Sequence, residues 1–230
     1  MIKAVIFDFD GLIIDTETCE MNAWRAMYEE HNAQFPEEVL LGRIGTRDAF
    51  DPFEELIGRA SAALDKELLR EAFRVHLQRL LDCEQARLGV EDYLRTAREL
   101  GLHIGLASSS NRIWIEPFLE RLGLRHYFDA MRTFDDVKNA KPDPELYQRV
   151  LADFGILPQE AIAFEDSVNG SLAAVRAGLH CVIVPNATTR RMTFPAGVFA
   201  RLDSMAELPL RELIRSIGDE SLDSSGVAGA

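Results

Sequence analysis

Residues 3–11 read Lys3-Ala4-Val5-Ile6-Phe7-Asp8-Phe9-Asp10-Gly11. The β-branched and aromatic run predicts a short buried strand, and the acids and glycine after it predict that its C-terminal end opens into a loop. The same pattern returns at 103–108, 161–166 and 181–185, with a weaker version near 129–134. Capped helical patterns lie between these runs. Asp143-Pro144 is expected to open one helix that Gly155 closes, and Ser167 to open another that ends at Gly178. Strands alternating with helices predict an α/β fold with a doubly wound, Rossmann-like parallel sheet.

The stretch that follows the first strand is different. Met21, Trp24, Met27 and Tyr28, then Leu64, Leu68, Leu69, Phe73, Leu77, Leu80 and Leu81, fall at helical spacing, with no strand pattern between them. This predicts an all-helical cap over 16–88 inserted into a discontinuous core formed by 1–15 and 89–217. Connectors near Asp15-Thr16 and Leu88-Gly89-Val90 would serve as hinges. Residues 218–230 are small, polar and unpatterned, and are expected to form a disordered tail.

The chain has 230 residues, 25 Lys+Arg against 38 Asp+Glu and a formal charge of −13. Such an acidic balance disfavours nucleic acid, whose phosphates are bound by Lys and Arg displacing counterions. No run approaches the roughly 18 apolar residues that read as a membrane span, and Asp8 and Asp10 interrupt the only apolar start, so neither a membrane partner nor a signal peptide is expected. Cys19, Cys83 and Cys181 form no CxxC pair, which suggests a reducing, cytoplasmic setting. The oligomeric state is expected to be a monomer or a dimer.

Ligands of open parallel sheets bind beyond the carboxyl ends of the strands. Asp8 and Asp10, Ser108-Ser109-Ser110, Lys141 and Glu165-Asp166 are all placed there by the predicted topology. Four carboxylates around one lysine call for a hard divalent cation held by oxygen, and Mg²⁺ suits a site that also takes a phosphate. Ser108 and Lys141 would then meet phosphoryl oxygens, a donor set suited to phosphoryl transfer.

In this order the motifs Phe7-Asp8-Phe9-Asp10-Gly11, Ala107-Ser108-Ser109-Ser110, Lys141-Pro142-Asp143-Pro144 and Phe164-Glu165-Asp166-Ser167 resemble those of the haloacid dehalogenase superfamily. The helical insert after the first motif is similar to that of its β-phosphoglucomutase-like group. The resemblance implies Asp8 as nucleophile and Asp10 as general acid–base. It implies Mg²⁺ held by Asp8, the backbone carbonyl of Asp10 and Asp166, with Glu165 as a ligand or beside the ligands. Ser108, Ser109 and Lys141 are implied as phosphate-binding groups.

Two enzymatic readings follow from the resemblance. One is a Mg²⁺-dependent phosphatase of a small phosphorylated metabolite such as a sugar phosphate; the alternative is a phosphosugar mutase of the β-phosphoglucomutase type. Mutases carry a histidine where this chain has Glu20, and Arg43-Ile44-Gly45-Thr46-Arg47 resembles their basic cap loop loosely. Glu20, Arg43, Thr46 and Arg47 are therefore the cap candidates for contacting substrate, with Arg74 or His76 as further ones. A non-enzymatic phospho-Asp signalling domain is a remote third reading, opposed by Asp10, because a group that activates water shortens the life of a phospho-aspartate.

Overall fold

The computed structural model describes residues 1–45, 50–60 and 63–225, with side chains as far as Gly218. In chain order, β1 (Ala4–Phe7) is followed by α1 (Thr16–Glu30), α2 (Glu37–Leu41), α3 (Pro52–Arg59), α4 (Lys66–Leu81), α5 (Val90–Glu99), β2 (His103–Ala107), α6 (Arg112–Arg121), β3 (Ala130–Arg132), α7 (Glu145–Phe154), β4 (Ala161–Glu165), α8 (Val168–Arg176), β5 (His180–Ile183), β6 (Val198–Arg201) and α9 (Leu210–Ser225). The strands form one parallel sheet in the order β3-β2-β1-β4-β5-β6. The order reverses at β1, so the crevice for a ligand lies beyond the ends of β1 and its neighbours.

Every residue of β1 is fully buried. Val5 and Phe7 face the cluster beneath α5, α6 and α9, where Phe7 stacks on Phe164 with ring centroids 5.0 Å apart. Ala4 and Ile6 face the cluster under α7 and α8, with Leu146, Tyr147 and Val150. Burial on both faces explains why the strand reads as a continuous apolar run rather than an alternating one.

The helices between Thr16 and Leu81 have a hydrophobic cluster of their own. Trp24 stacks on Phe73 at 4.1 Å and meets Phe53 edge-on at 4.8 Å, with Met27, Tyr28 and Leu69 around them. The two connectors to the sheet domain run side by side. Ile14 bridges Ala86, Arg87 N–H donates to Ile13 O at 2.8 Å, and the Arg87 guanidinium donates to the carbonyls of Gly11, Val184 and Pro185.

Three features differ from the sequence expectations. Strand β6 has no counterpart among them: it is a short edge strand whose residues are half-buried or exposed, so it lacks the apolar run that marks the inner strands. Helix α7 starts at Glu145 with Pro144 at its cap, and the Asp143 side chain accepts from Glu145 N–H at 3.0 Å. Helix α9 continues through residues 218–225, which were expected to be disordered. Leu210, Leu213 and Ile217 anchor its first two turns in the core, and extending a nucleated helix costs little per residue. The last five residues lie outside the described chain.

Candidate active site

Asp8 directly follows β1 and prolongs its ladder, with its N–H donating to Phe164 O at 3.0 Å. Its carboxylate is buried, and its Oδ1 lies 2.8 Å from Lys141 Nζ. The same ammonium lies 2.6 Å from Glu165 Oε1, which also accepts from the Tyr147 hydroxyl. Burial, followed by the neighbouring Glu165 charge, pushes the Asp8 carboxyl up to about 7, against the opposing pull of Lys141. Burial works against the Lys141 charge, yet Asp8 and Glu165 together hold the ammonium above its usual range.

Asp10 stands apart from this pair, in a cradle of donors. Thr16 Oγ1 donates to its Oδ1 at 2.8 Å, Trp114 Nε1 to the same oxygen at 2.9 Å, and Ser110 Oγ to Oδ2 at 2.6 Å. Burial raises its carboxyl despite these bonds. Two carboxylates two residues apart thus meet different partners, a lysine for one and neutral donors for the other. That division suits a nucleophile beside a proton carrier.

Carboxylate oxygens of Asp8, Glu165 and Asp166 lie within 4.8 Å of one another. Asp166 is fully buried, and its Oδ1 has no hydrogen-bond partner. Burial raises its carboxyl well above the ordinary range. An orphaned anionic oxygen in an all-oxygen donor set fits a hard cation. Glu165 Oε1 is already taken by Lys141 and Tyr147, so this residue also serves to hold the lysine.

Ser108 is buried and its Oγ accepts from Ser110 N–H at 3.0 Å. Ser109 Oγ accepts from Lys141 N–H at 3.2 Å and donates to Gly45 O at 3.3 Å. These groups floor a cavity of about 470 Å³ whose roof comes from the helical insert. Asn169 Nδ2 donates to Ile44 O at 2.8 Å, so the turn before residue 46 is seated on the core. Gly45 permits this approach: it has φ +75°, and a Cβ there would fall 2.2 Å from Ser167 Oγ.

Glu20 opens onto the cavity, where crowding by protein and the charge of Asp10 raise its carboxyl while Trp24 Nε1 donates to it at 3.4 Å. Arg43 also lines the cavity, with its guanidinium 4.1 Å over the Phe50 ring. Thr46 and Arg47 lie outside the described residues. The two further candidates do not line the cavity: Arg74 pairs with Glu71 at 2.6 Å and His76 with Glu30 at 3.0 Å on the outer surface of the cap. Arg74 follows its i,i+3 partner outward, which a helical pattern does not reveal when the apolar stripe is broad.

Sequence reasoning gave no role to Thr16, Glu17, Trp114, Tyr147 or Asn186, and placed Ser110 at the strand end without its bond to Asp10. Thr16 and Glu17 lie five and six residues after the first motif, and Ser110 closes the serine triplet, so these three carried a local signal. Trp114 and Tyr147 sit in the helices that follow the second and third motifs and carried none, because helical spacing does not say that an aromatic side chain turns back to the strand ends, and Asn186 lies in a loop outside every motif.

Residues 2–178 match the family model for haloacid dehalogenase-like hydrolases. The chain belongs to this family. The matched span contains the four motifs that the parallel sheet brings to one edge. The chain is 46% identical over 96% of its length to YhcW of Bacillus subtilis, the whole of which is covered. It is 30% identical to a Thermotoga maritima phosphatase of phosphorylated carbohydrates, over 77% of this chain and 82% of that protein. The crystal structure of CbbY from Rhodobacter sphaeroides in complex with phosphate is similar at a TM-score of 0.70 and 28% identity. That match covers 90% of this chain and 96% of the other. The family's sheet and its helical cap both fall within these matches.

Proposed function

We propose that this haloacid dehalogenase-like hydrolase is a Mg²⁺-dependent phosphatase of a small phosphorylated carbohydrate, working through an aspartyl-phosphate on Asp8. The observation that carries this reading is the separation of roles at the end of β1. Asp8 is paired with Lys141 at the floor of the cavity, whereas Asp10 is held by Thr16, Ser110 and Trp114. The phosphatase of phosphorylated carbohydrates among the relatives supports the substrate class.

Asp8, Asp166 and the backbone carbonyl of Asp10 would hold the Mg²⁺, with Glu165 beside them. When bound, the ion neutralises charge on the phosphoryl group. An Asp8 carboxylate oxygen attacks phosphorus, and the bond to the sugar oxygen breaks. Asp10 gives its proton to that oxygen, which leaves as an alcohol. Asp10 then takes a proton from water as the water oxygen attacks the aspartyl-phosphate, releasing inorganic phosphate and restoring Asp8. Lys141 and the Ser108–Ser109 segment bind the phosphoryl oxygens. Glu20 and Arg43 meet the sugar portion from the cap, and the paired connectors act as hinges that let the cavity open and exclude bulk water on closing.

Cys19, Cys83 and Cys181 are all unpaired, and no described helix is long and apolar enough to cross a membrane. The unpaired cysteines support action in a reducing compartment such as the cytoplasm. The test is phosphate release from a panel of sugar and polyol phosphates with Mg²⁺, run beside Asp8→Asn. Turnover by wild type alone is the expected result. Full activity of Asp8→Asn would overturn the mechanism.

A further inference from the structure

We propose that Glu17 and Asn186 are positioning residues of the cation site and that they tie the bound ion to the first helix of the cap. The inference rests on the cation reading given above, and adds two residues that neither the motifs nor the carboxylate cluster contain.

Asn186 lies in the loop after β5. Its Oδ1 accepts from the backbone N–H groups of Thr188 at 2.9 Å and Thr189 at 3.0 Å. An amide oxygen fixed by two obligate donors leaves no choice of flip, so the NH₂ group must face the other way. There Nδ2 lies 2.7 Å from Asp166 Oδ2, 3.2 Å from Glu17 Oε2 and 3.4 Å from Gly11 O. The amide therefore occupies one oxygen of Asp166 and leaves the other, Oδ1, buried and without a partner, in a residue that clusters with Asp8 and Glu165. Asn186 thereby selects which oxygen is presented to the ion. Gly11 makes the arrangement sterically accessible: a Cβ there would fall 2.1 Å from Asp166 Oδ2 and 2.7 Å from Asn186 Nδ2.

Glu17 is the second residue of α1, and therefore part of the cap, yet it is buried at the core site. It shares a single amide group with Asp166. Two carboxylates at one donor repel, and a divalent cation on Asp166 offsets that repulsion. Ion binding then favours the seated position of the first turn of α1. By reciprocity, the seated turn raises affinity for the ion. The coupling is local: one amide, two carboxylates and one ion link the cap to the sheet edge.

The test uses the full chain, with Mn²⁺ binding followed by electron paramagnetic resonance and Mg²⁺ binding by calorimetry. Amide hydrogen exchange in α1 is measured with and without Mg²⁺. Asn186→Ala and the near-isosteric Glu17→Gln are each expected to weaken binding by about 10- to 100-fold, as loss of groups that orient a ligand does. Mg²⁺ should slow exchange in the first turn of α1 in wild type and not in Glu17→Gln. Should Asn186→Ala fail to fold, Glu17→Gln decides alone. Wild-type affinity in Glu17→Gln, or exchange in wild-type α1 that ignores Mg²⁺, overturns the inference and leaves the phosphatase reading standing. A protein that binds the ion, shows the coupling and hydrolyses no phosphomonoester overturns the phosphatase reading alone.

Discussion

The Lys141 ammonium lies 2.8 Å from Asp8 Oδ1, and both side chains are buried at the end of the central strand. With Glu165 on its other side at 2.6 Å, the lysine is the countercharge for two buried acids. Lys141→Ala would leave both uncompensated. In metal-free buffer this should cost about 3–5 kcal/mol of stability, the usual penalty for breaking a buried pair. Urea unfolding with chelator present measures it, and added Mg²⁺ should recover part of the loss. A variant as stable as wild type without metal would contradict this account.

The raised Asp8 carboxyl also sets a pH dependence. Its value rises from an ordinary 3.8 to about 7, mainly through burial. Between those values the folded chain holds a proton that the unfolded chain has released, so stability falls as pH rises through this window. Asp166 and Glu17 shift in the same direction. Surface acids lowered by their partners, such as Glu71 beside Arg74, act mainly at the acid end, below pH 5. Metal-free protein should therefore lose stability from pH 5 to about pH 7, with a smaller slope in Asp8→Asn. Denaturant midpoints across that range, for both proteins, give the comparison.

Trp114 reaches Asp10 from α6 with a group that can only donate. Trp114→Phe keeps an aromatic ring and removes that donor. A hydrogen bond to a charged acceptor contributes about 1.5–3 kcal/mol, so kcat should fall by about 10- to 100-fold. KM should change far less, because the ring that lines the cavity is retained. Steady-state kinetics on the best substrate of the panel separate the two, and an unchanged kcat would remove Trp114 from the proton-handling group.

Gly45 brings the cap turn onto Ser167 and Ser109. Gly45→Val would add a β-branched side chain at φ +75° and place its Cβ 2.2 Å from Ser167 Oγ. The turn should then fail to seat, lowering kcat/KM by about 100-fold through loss of closure, the size of effect expected from a misplacement of about 1 Å. Thermal unfolding should move little, since the turn belongs to none of the three hydrophobic clusters. Wild-type kcat/KM would show that seating the turn is immaterial.

Much of the site was legible in the sequence because its chemistry is attached to strand ends. Asp8, Ser108 and Glu165 each follow or close an apolar run, and a parallel sheet brings such ends to one edge whatever the loops do. Strand β6 was not legible, since a half-exposed edge strand needs no continuous apolar run. The continuation of α9 past residue 217 was hidden for a related reason: its anchor is Leu210, Leu213 and Ile217, and the sequence beyond is small and polar, with no apolar spacing to mark a helix.

The sequence by itself determined the inner strands of the sheet, the helical insert and the order of the motifs, because period and capping are local properties of the chain. Only the tertiary structure decided how the acids divide their work. Trp114 meets Asp10 across 104 residues, Asn186 meets Glu17 across 169, and Lys141 meets Glu165 across 24. Hydrogen bonds act over about 3 Å and depend on direction. Which donor faces which oxygen is therefore set when the elements pack, and no spacing along the chain records it.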